Sequence, residues 1–365
     1  MIKLSKICRN KFKRRSFTAM LLSCSFLLCG FNSPEVVTED NEIETISENF
    51  EPVPFIIDSD MCPDVDDALA IELAMWFQNK GLIDIRGMAF CTMSARSAFG
   101  ASAIMQTNKQ YDIPLAIASS DGIALGSDYI YGMCDYPHSE NIFYGTTNFY
   151  RMLLASSSTK VNIVSTGQLT NLNDLLNSGP DAHSDLTGAE LIAEKVDTLY
   201  CVAGKSNGGL ENNIFYGGED YGGNKYYNNT KVAEAADNVA RNWTSEIVWL
   251  EADLVGSFSV GDFYEQVDKS SSYIITKALK DYGTSWGSAS FDPFGVYIAF
   301  YDKLGESEQR GIEYTDGVMH INWSGTSYFT DIEGGPHKRI TKVYDDGYYR
   351  WEINKLLQEN YERNN

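Results

Sequence analysis

A chain of 365 residues with 43% hydrophobic and 13% aromatic content is long and apolar enough to bury a substantial core, as one large domain rather than two. Its formal net charge of -21 excludes nucleic acid and anionic membrane surfaces as main partners, because either needs a basic face to displace counterions. Small neutral ligands and metal cations remain.

The chain begins with Lys3, Lys6, Arg9, Lys11, Lys13, Arg14 and Arg15, before any acid, followed by an apolar stretch over residues 17–28. This is the layout of a secretory signal, and the apolar run is too short for a permanent membrane span. Leu21-Leu22-Ser23-Cys24 resembles the lipobox of bacterial lipoproteins, in which Cys24 becomes the lipidated first residue of the mature chain. Arg14-Arg15-Ser16-Phe17 also resembles a twin-arginine signal, less completely. Residues 1–24 are therefore expected as a signal peptide of lipoprotein type, residues 25–51 as an acidic linker and residues 52–365 as the folded domain. Export to the cell envelope, on the periplasmic or the outer side, follows, with the membrane touched only through the lipid.

Strand-like apolar runs then alternate with amphipathic helical patterns. Strands are expected at residues 53–57, 82–93, 113–118, 161–165, 198–203 and 247–250. Helices are expected at 66–80, with Leu69, Leu73, Trp76 and Phe77 on one face and Gly81 closing it, and at 97–109, 148–156, 170–176, 188–195 and 230–241. After Leu250 the pattern weakens to helices at 294–300 and 349–361, with a hairpin between them. This rhythm predicts an α/β domain whose central sheet is mostly parallel and flanked by helices, with ligands at the carboxyl ends of the strands. The segment at 204–229, rich in Gly, Asn and Tyr, follows a strand end and is expected on that same face.

Cys91 and Cys201 lie in strand-like runs and read as buried thiols, and no CxxC pair suggests zinc. A Cys62–Cys134 disulfide is permitted by an oxidising compartment but not demanded.

The chemistry concentrates in F-I-I-D-S-D-M-C-P-D-V-D-D-A-L-A, residues 55–70. Asp58, Asp60, Asp64, Asp66 and Asp67 crowd the end of an apolar strand, where like charges raise one another's pKa unless a cation sits among them. Helix capping by Asp64 or Asp66 accounts for one or two of the five. An EF-hand does not fit, since Cys62 and Pro63 occupy the required positions.

This run resembles the N-terminal signature of the inosine-uridine type nucleoside hydrolases, D-x-D-P-G-x-D-D-A, and more closely a bacterial branch with D-x-D-x-x-x-D-V-D-D-A. V-N-I-V-S-T-G-Q-L-T-N-L is similar to that family's T-G-x-L-T-N turn, and L-Y-C-V-A-G to its strand ending in M-G-G. G-G-N-K-Y-Y-N-N-T-K-V-A-E-A-A resembles its E-x-N-x-x-x-D-x-x-A-A segment, and S-F-D-P-F-G-V-Y-I-A its late aspartate. The resemblance implies a Rossmann-like nucleoside hydrolase fold and calcium-dependent cleavage of ribonucleosides to ribose and free base. It implies Asp60 as calcium ligand and general base, with Asp67, the Thr166 carbonyl and Asp292 completing the protein ligands. It implies Asp66 and Asn224 as contacts of the ribose hydroxyls, and Ser94 stands about where a ribose-binding asparagine is expected. Asp58 stands behind the ligands and Asp64 has no carried-over role.

The departures are Phe291, where many members have a histidine, and Gly222, where the E of E-x-N falls. His138, His183, His320 and His337 fall in no motif and are expected at the surface. The expected partner is a small nucleoside or ribosyl compound, and a homo-oligomer is left open. The alternatives are hydrolysis of another N-ribosyl or glycosyl compound, or a surface lipoprotein that binds sugar or nucleoside with calcium and does not turn over.

Overall fold

The architecture follows from strands that have no polar face. In β1 (Val53–Ser59), Phe55 and Ile57 enter one hydrophobic core and Ile56 enters the other. Successive side chains of a strand point to opposite faces, so such a run requires helices on both sides of the sheet. The computed structural model describes residues 50–119, 127, 129–215, 229–284 and 286–365, and residues Glu51–Asn365 form one compact unit.

In chain order β1 is followed by β2 (Ile83–Phe90), β3 (Leu115–Ile117), β4 (Phe143–Tyr144), β5 (Val161–Ser165), β6 (Val196–Cys201) and β7 (Asn207–Leu210). Then come β8 (Glu246–Trp249), β9 (Ser259–Val260), β10 (Ser288–Ala289), β11 (Ile312–Ile321), β12 (Thr326–Asp331) and β13 (His337–Lys342). Among the described residues all but β9 and β10 join one 11-stranded sheet, in the order β4-β3-β2-β1-β5-β6-β8-β13-β11-β12-β7. From β4 to β13 every neighbour is parallel, and β11, β12 and β7 add an antiparallel edge.

Helices Asp66–Asn79, Ala95–Thr107, Ile274–Tyr282, Phe291–Lys303 and Asp346–Asn364 cover the face of Phe55. Thr146–Ser156, Thr170–Leu176 and Gly188–Lys195 cover the other, joined there by Ala236 and Val239 of helix Asn229–Asn242. Strands β2 to β4 extend the sheet to one side of β1, and β5, β6 and β8 extend it to the other. The strand order therefore reverses between β1 and β5, and the carboxyl ends of those two strands flank the crevice where such sheets take ligands.

The expected elements form, with shorter strands at 83–90 and 115–117. Gly81, at φ 69°, closes the first helix as its left-handed residue. That helix buries far more than one face, because it lies between helices Phe291–Lys303 and Asp346–Asn364. The late segment expected as a hairpin supplies three strands, and its last, β13, pairs in parallel with β8. The helix Ile274–Tyr282 was not anticipated from the weak pattern after Leu250. The permitted Cys62–Cys134 disulfide does not form, and Cys91 and Cys201 are buried as expected.

The first helix also buries Glu72, whose described hydrogen-bond partners are all neutral. Its carboxylate accepts from Asn108 Nδ2 and Asn360 Nδ2, both at 2.8 Å, and from the Tyr273 hydroxyl. Burial raises its pKa and the three donors only partly offset this. The folded state then holds a proton that the unfolded chain gives up, so this contribution to stability is complete below the unfolded value and is lost as pH rises through the folded one. Glu72→Gln is therefore expected to flatten the fall in thermal midpoint above about pH 4.5 relative to the parent chain. Equal slopes for the two proteins in melts across the pH range would contradict it.

Candidate active site

At the carboxyl end of β1 the chain passes through residues 60–65 into the first turn of helix Asp66–Asn79. Val65 takes the N-cap position without a side-chain bond, so Asp66 and Asp67 are not caps but the first two helical residues. Helix Phe291–Lys303 starts at the same place and brings Asp292 in its own first turn. Two helix N-termini thus point their positive dipole ends at one point, which favours carboxylates there.

Carboxylate oxygens of Asp66, Asp67 and Asp292 lie within 4.8 Å of one another, and all three residues are buried. Asp67 Oδ1 accepts from Ser59 Oγ at 2.6 Å and from Thr166 Oγ1 at 3.4 Å, whereas its buried Oδ2 has no hydrogen-bond donor among the described residues. Burial, then the charges of Asp60 and Asp66, hold Asp67 well above the usual carboxylate range. Burial and then Asp66, Asp67 and Asp60 do the same to Asp292. Asp66 is pushed up to about 7, chiefly by burial and then by Asp64, against the pull of the backbone N–H groups of Asp66, Asp67 and Asp292. Oxygens this close repel unless a proton or a cation lies between them. An all-oxygen donor set with an unsatisfied buried carboxylate oxygen fits a hard divalent cation.

Asp60 borders the same cleft but stands beside the trio, its Oδ2 accepting from Gln168 Nε2 at 2.9 Å. Burial raises its pKa strongly, with Asp64 and Asp66 adding to the effect and Gln168 opposing it. Asp58 lies behind, still within β1. Its Oδ2 accepts from the Tyr150 hydroxyl and from Asn171 Nδ2, both at 2.8 Å, and burial pushes it up to about 7. Asp64 is pinned at the rim: Tyr129 donates to its backbone oxygen and Tyr282 to its Oδ1, each at 2.7 Å. The long loop thus gains a fixed point that sequence reasoning did not assign.

The turn after β5 supplies the opposite wall. Thr166 N donates to Asp58 O at 2.7 Å, and the Thr166 carbonyl accepts from Asn213 Nδ2 at 3.0 Å, which also reaches Val202 O at 2.8 Å. One of that carbonyl's two lone pairs is left for another partner. Glu211 accepts the backbone N–H groups of Gly204, Asn213 and Ile214 and so folds the loop that carries Asn213. Glu211 and Asn213 line the cleft together with Phe291 and Ala252. Sequence reasoning missed this pair, although E-N-N at 211–213 has the E-x-N spacing sought at residues 222–224. Asn224 and Gly222, like Cys24 and residues 25–49 of the linker, lie outside the described residues.

Ser94 takes the N-cap position of helix Ala95–Thr107 beyond the end of β2, without a side-chain capping bond, and is not among the cleft-lining residues. Nor is any of the four histidines. The expectation of a surface position fails for His337, which is buried with Nδ1 accepting from Met319 N at 2.9 Å. Phe291 does reach the cleft and fills the space over Gly256, where an added Cβ would meet its ring at 1.9 Å. No lysine or arginine is among the described residues lining the cleft.

Gly167 fixes how closely the two walls approach. A Cβ there would lie 2.6 Å from Asp60 N and 2.9 Å from Ser59 C, both backbone atoms that have nowhere to go. Gly167→Ala is expected to cost about 1–3 kcal/mol by overpacking. Denaturant melts check the magnitude, and a melt unchanged from the parent would show that the turn can yield.

No protein-family model and no curated protein sequence matches the chain. Solved structures do. The inosine-uridine preferring nucleoside hydrolase from Bacillus anthracis is 16% identical, with a TM-score of 0.59 over 84% of this chain and 99% of that one. The purine-preferring ribonucleoside hydrolase from Gardnerella vaginalis is 13% identical, with a TM-score of 0.61 over 84% and 99%. The type III effector XopQ, complexed with adenosine diphosphate ribose, is 13% identical, with a TM-score of 0.55 over 85% and 94%. The fold of this chain is the nucleoside hydrolase fold.

Proposed function

We propose that this chain is a calcium-dependent hydrolase of the N-glycosidic bond of ribonucleosides, releasing ribose and a free base. The observation that carries the reading is the buried trio Asp66, Asp67 and Asp292, with the unpartnered Asp67 Oδ2, at the β1/β5 switch point. The nucleoside hydrolases among the structural neighbours add support from the fold.

In this reading Asp60, Asp67, Asp292 and the Thr166 carbonyl hold the ion, with Asp66 close enough to share it. When bound, calcium supplies Lewis-acid stabilisation of an ionising water and coordination positions for sugar hydroxyls. Asp60 takes the proton of the attacking water. Asp66 and Asn224 orient the ribose hydroxyls, without the Ser94 contact that the resemblance implied, since Ser94 does not line the cleft. The C–N bond breaks as positive charge develops on the sugar ring, and the surrounding carboxylates stabilise that charge. The bonding pair leaves with the base, and water adds to the ring carbon.

Phe291 has no proton to give a departing base, and this favours a second reading. There the cleft binds a ribosyl compound, nucleoside or other, without cleaving it, as one structural neighbour holds adenosine diphosphate ribose. Incubating the full chain with a panel of nucleosides and assaying free ribose separates the two. Calcium-dependent ribose release, abolished by a chelator and restored by calcium, is expected. Tight binding without ribose would establish the second reading.

Asp60→Asn is expected to lower kcat by about 100-fold or more, the usual contribution of a general base. Asp67→Asn is expected to abolish calcium binding as well as turnover. Parental calcium affinity in Asp67→Asn, measured by titration calorimetry, would contradict the ligand assignment.

The N-terminal segment supports export as a lipoprotein with the lipid on Cys24. Cys24→Ala should move the protein out of the membrane fraction. Retention there with lipid label still incorporated would rule out this anchor.

A further inference from the structure

The Gln168 amide is buried between a thiol and a carboxylate. Its Nε2 donates to Asp60 Oδ2 at 2.9 Å, and its Oε1 accepts from Cys91 Sγ at 3.2 Å. Gln168 is 1% exposed and Cys91 is fully buried. The three residues lie just past the carboxyl ends of β5, β1 and β2, which are adjacent in the sheet. Cys91 is itself fixed to β1 by its backbone N–H, which donates to Ser59 O at 3.0 Å.

The row has one electrostatically consistent polarity. With Asp60 ionised, as its role as base requires, the carboxylate only accepts and the thiol is the available donor, so the amide nitrogen faces Asp60 and the amide oxygen faces Cys91. Turning the amide over would set Oε1 against the carboxylate and leave the thiol facing a donor. Core packing at this turn does not require an amide, since the neighbouring Leu169 fills the hydrophobic space. An unpaired amide at such burial is destabilising, so the side chain is kept where both ends are satisfied.

We propose that Gln168 is a positioning residue that fixes the Asp60 carboxylate for proton abstraction, and that Cys91 sets the orientation of its amide. The inference rests on the reading of Asp60 as general base. Anchoring one oxygen restricts the carboxylate plane, and proton abstraction is sensitive to displacements of about 1 Å. Asp66, Asp67 and Asp292 sit in the first turns of two helices, whereas Asp60 is held by this neutral contact from the facing turn.

The test uses the full chain with saturating calcium and a nucleoside that the parent hydrolyses. Gln168→Met keeps the volume and removes the donor. It is expected to lower kcat by about 100-fold with KM changed far less, and a crystal structure of the variant is expected to show Asp60 in a different rotamer. Cys91→Ala is expected to lower kcat by roughly three- to ten-fold, the value of one modest hydrogen bond. Cys91→Ser, which keeps a donor, is expected to exceed Cys91→Ala. Because Cys91 acts through the amide, Cys91→Ala adds no further loss to Gln168→Met.

A kcat for Gln168→Met within two-fold of the parent, or an unmoved Asp60, would overturn the proposal. Independent, multiplying losses in the double variant would overturn the part played by Cys91. Should Gln168→Met not fold, the order of the two Cys91 variants decides. If the parent releases no ribose from any nucleoside, the hydrolase reading fails first, and the Asp60 rotamer still tests the positioning.

Discussion

Like charges buried together are the constraint on which the rest of this structure depends. Asp58, Asp60, Asp66, Asp67 and Asp292 are all buried, and none has a basic side chain beside it in the described cleft. Desolvation alone disfavours each carboxylate, and proximity adds to the penalty. The fold spreads that cost over several devices. Two helix N-termini face the cluster, Ser59 and Thr166 donate to Asp67, and Tyr150 and Asn171 donate to Asp58. One oxygen, Asp67 Oδ2, finds no hydrogen-bond donor among the described residues, and that is where a cation has most to offer.

The sheet explains why these groups meet. The strand order reverses between β1 and β5, so their carboxyl ends open a crevice that no crossover helix fills. The close seating of Gly167 on the Asp60 backbone narrows it, and Asn213 ties the ends of β5 and β6 together across its floor. The helix Phe291–Lys303 closes the cleft from the far end of the chain. Its Gly295 permits this, because a Cβ there would lie 2.2 Å from Val202 Cγ2.

Much of this was legible in the residues themselves. Strand-helix alternation gave the parallel sheet because buried strands read as unbroken apolar runs, and the aspartate run marked the strand end that carries the chemistry. What was not legible depends on distant contacts. Glu211-Asn212-Asn213 carries the E-x-N spacing, but a second asparagine at Asn224 in the Gly- and Asn-rich stretch that follows competes with it, and only the fold places Asn213 against Thr166. Asp64 is fixed by Tyr129 and Tyr282, far along the chain, and Gln168 shows its partner only when β5 is set beside β1. His337 reads as polar and is nevertheless buried, because at the start of β13 its ring accepts the backbone N–H of Met319 in the neighbouring strand β11.

Titration calorimetry of calcium into the full chain, repeated in buffers of different ionisation enthalpy, shows whether the carboxylate cluster takes a divalent cation. A single site is expected, whose binding releases protons and which is lost in Asp67→Asn. Absence of calcium binding, or binding that releases no protons and survives Asp67→Asn, would contradict it.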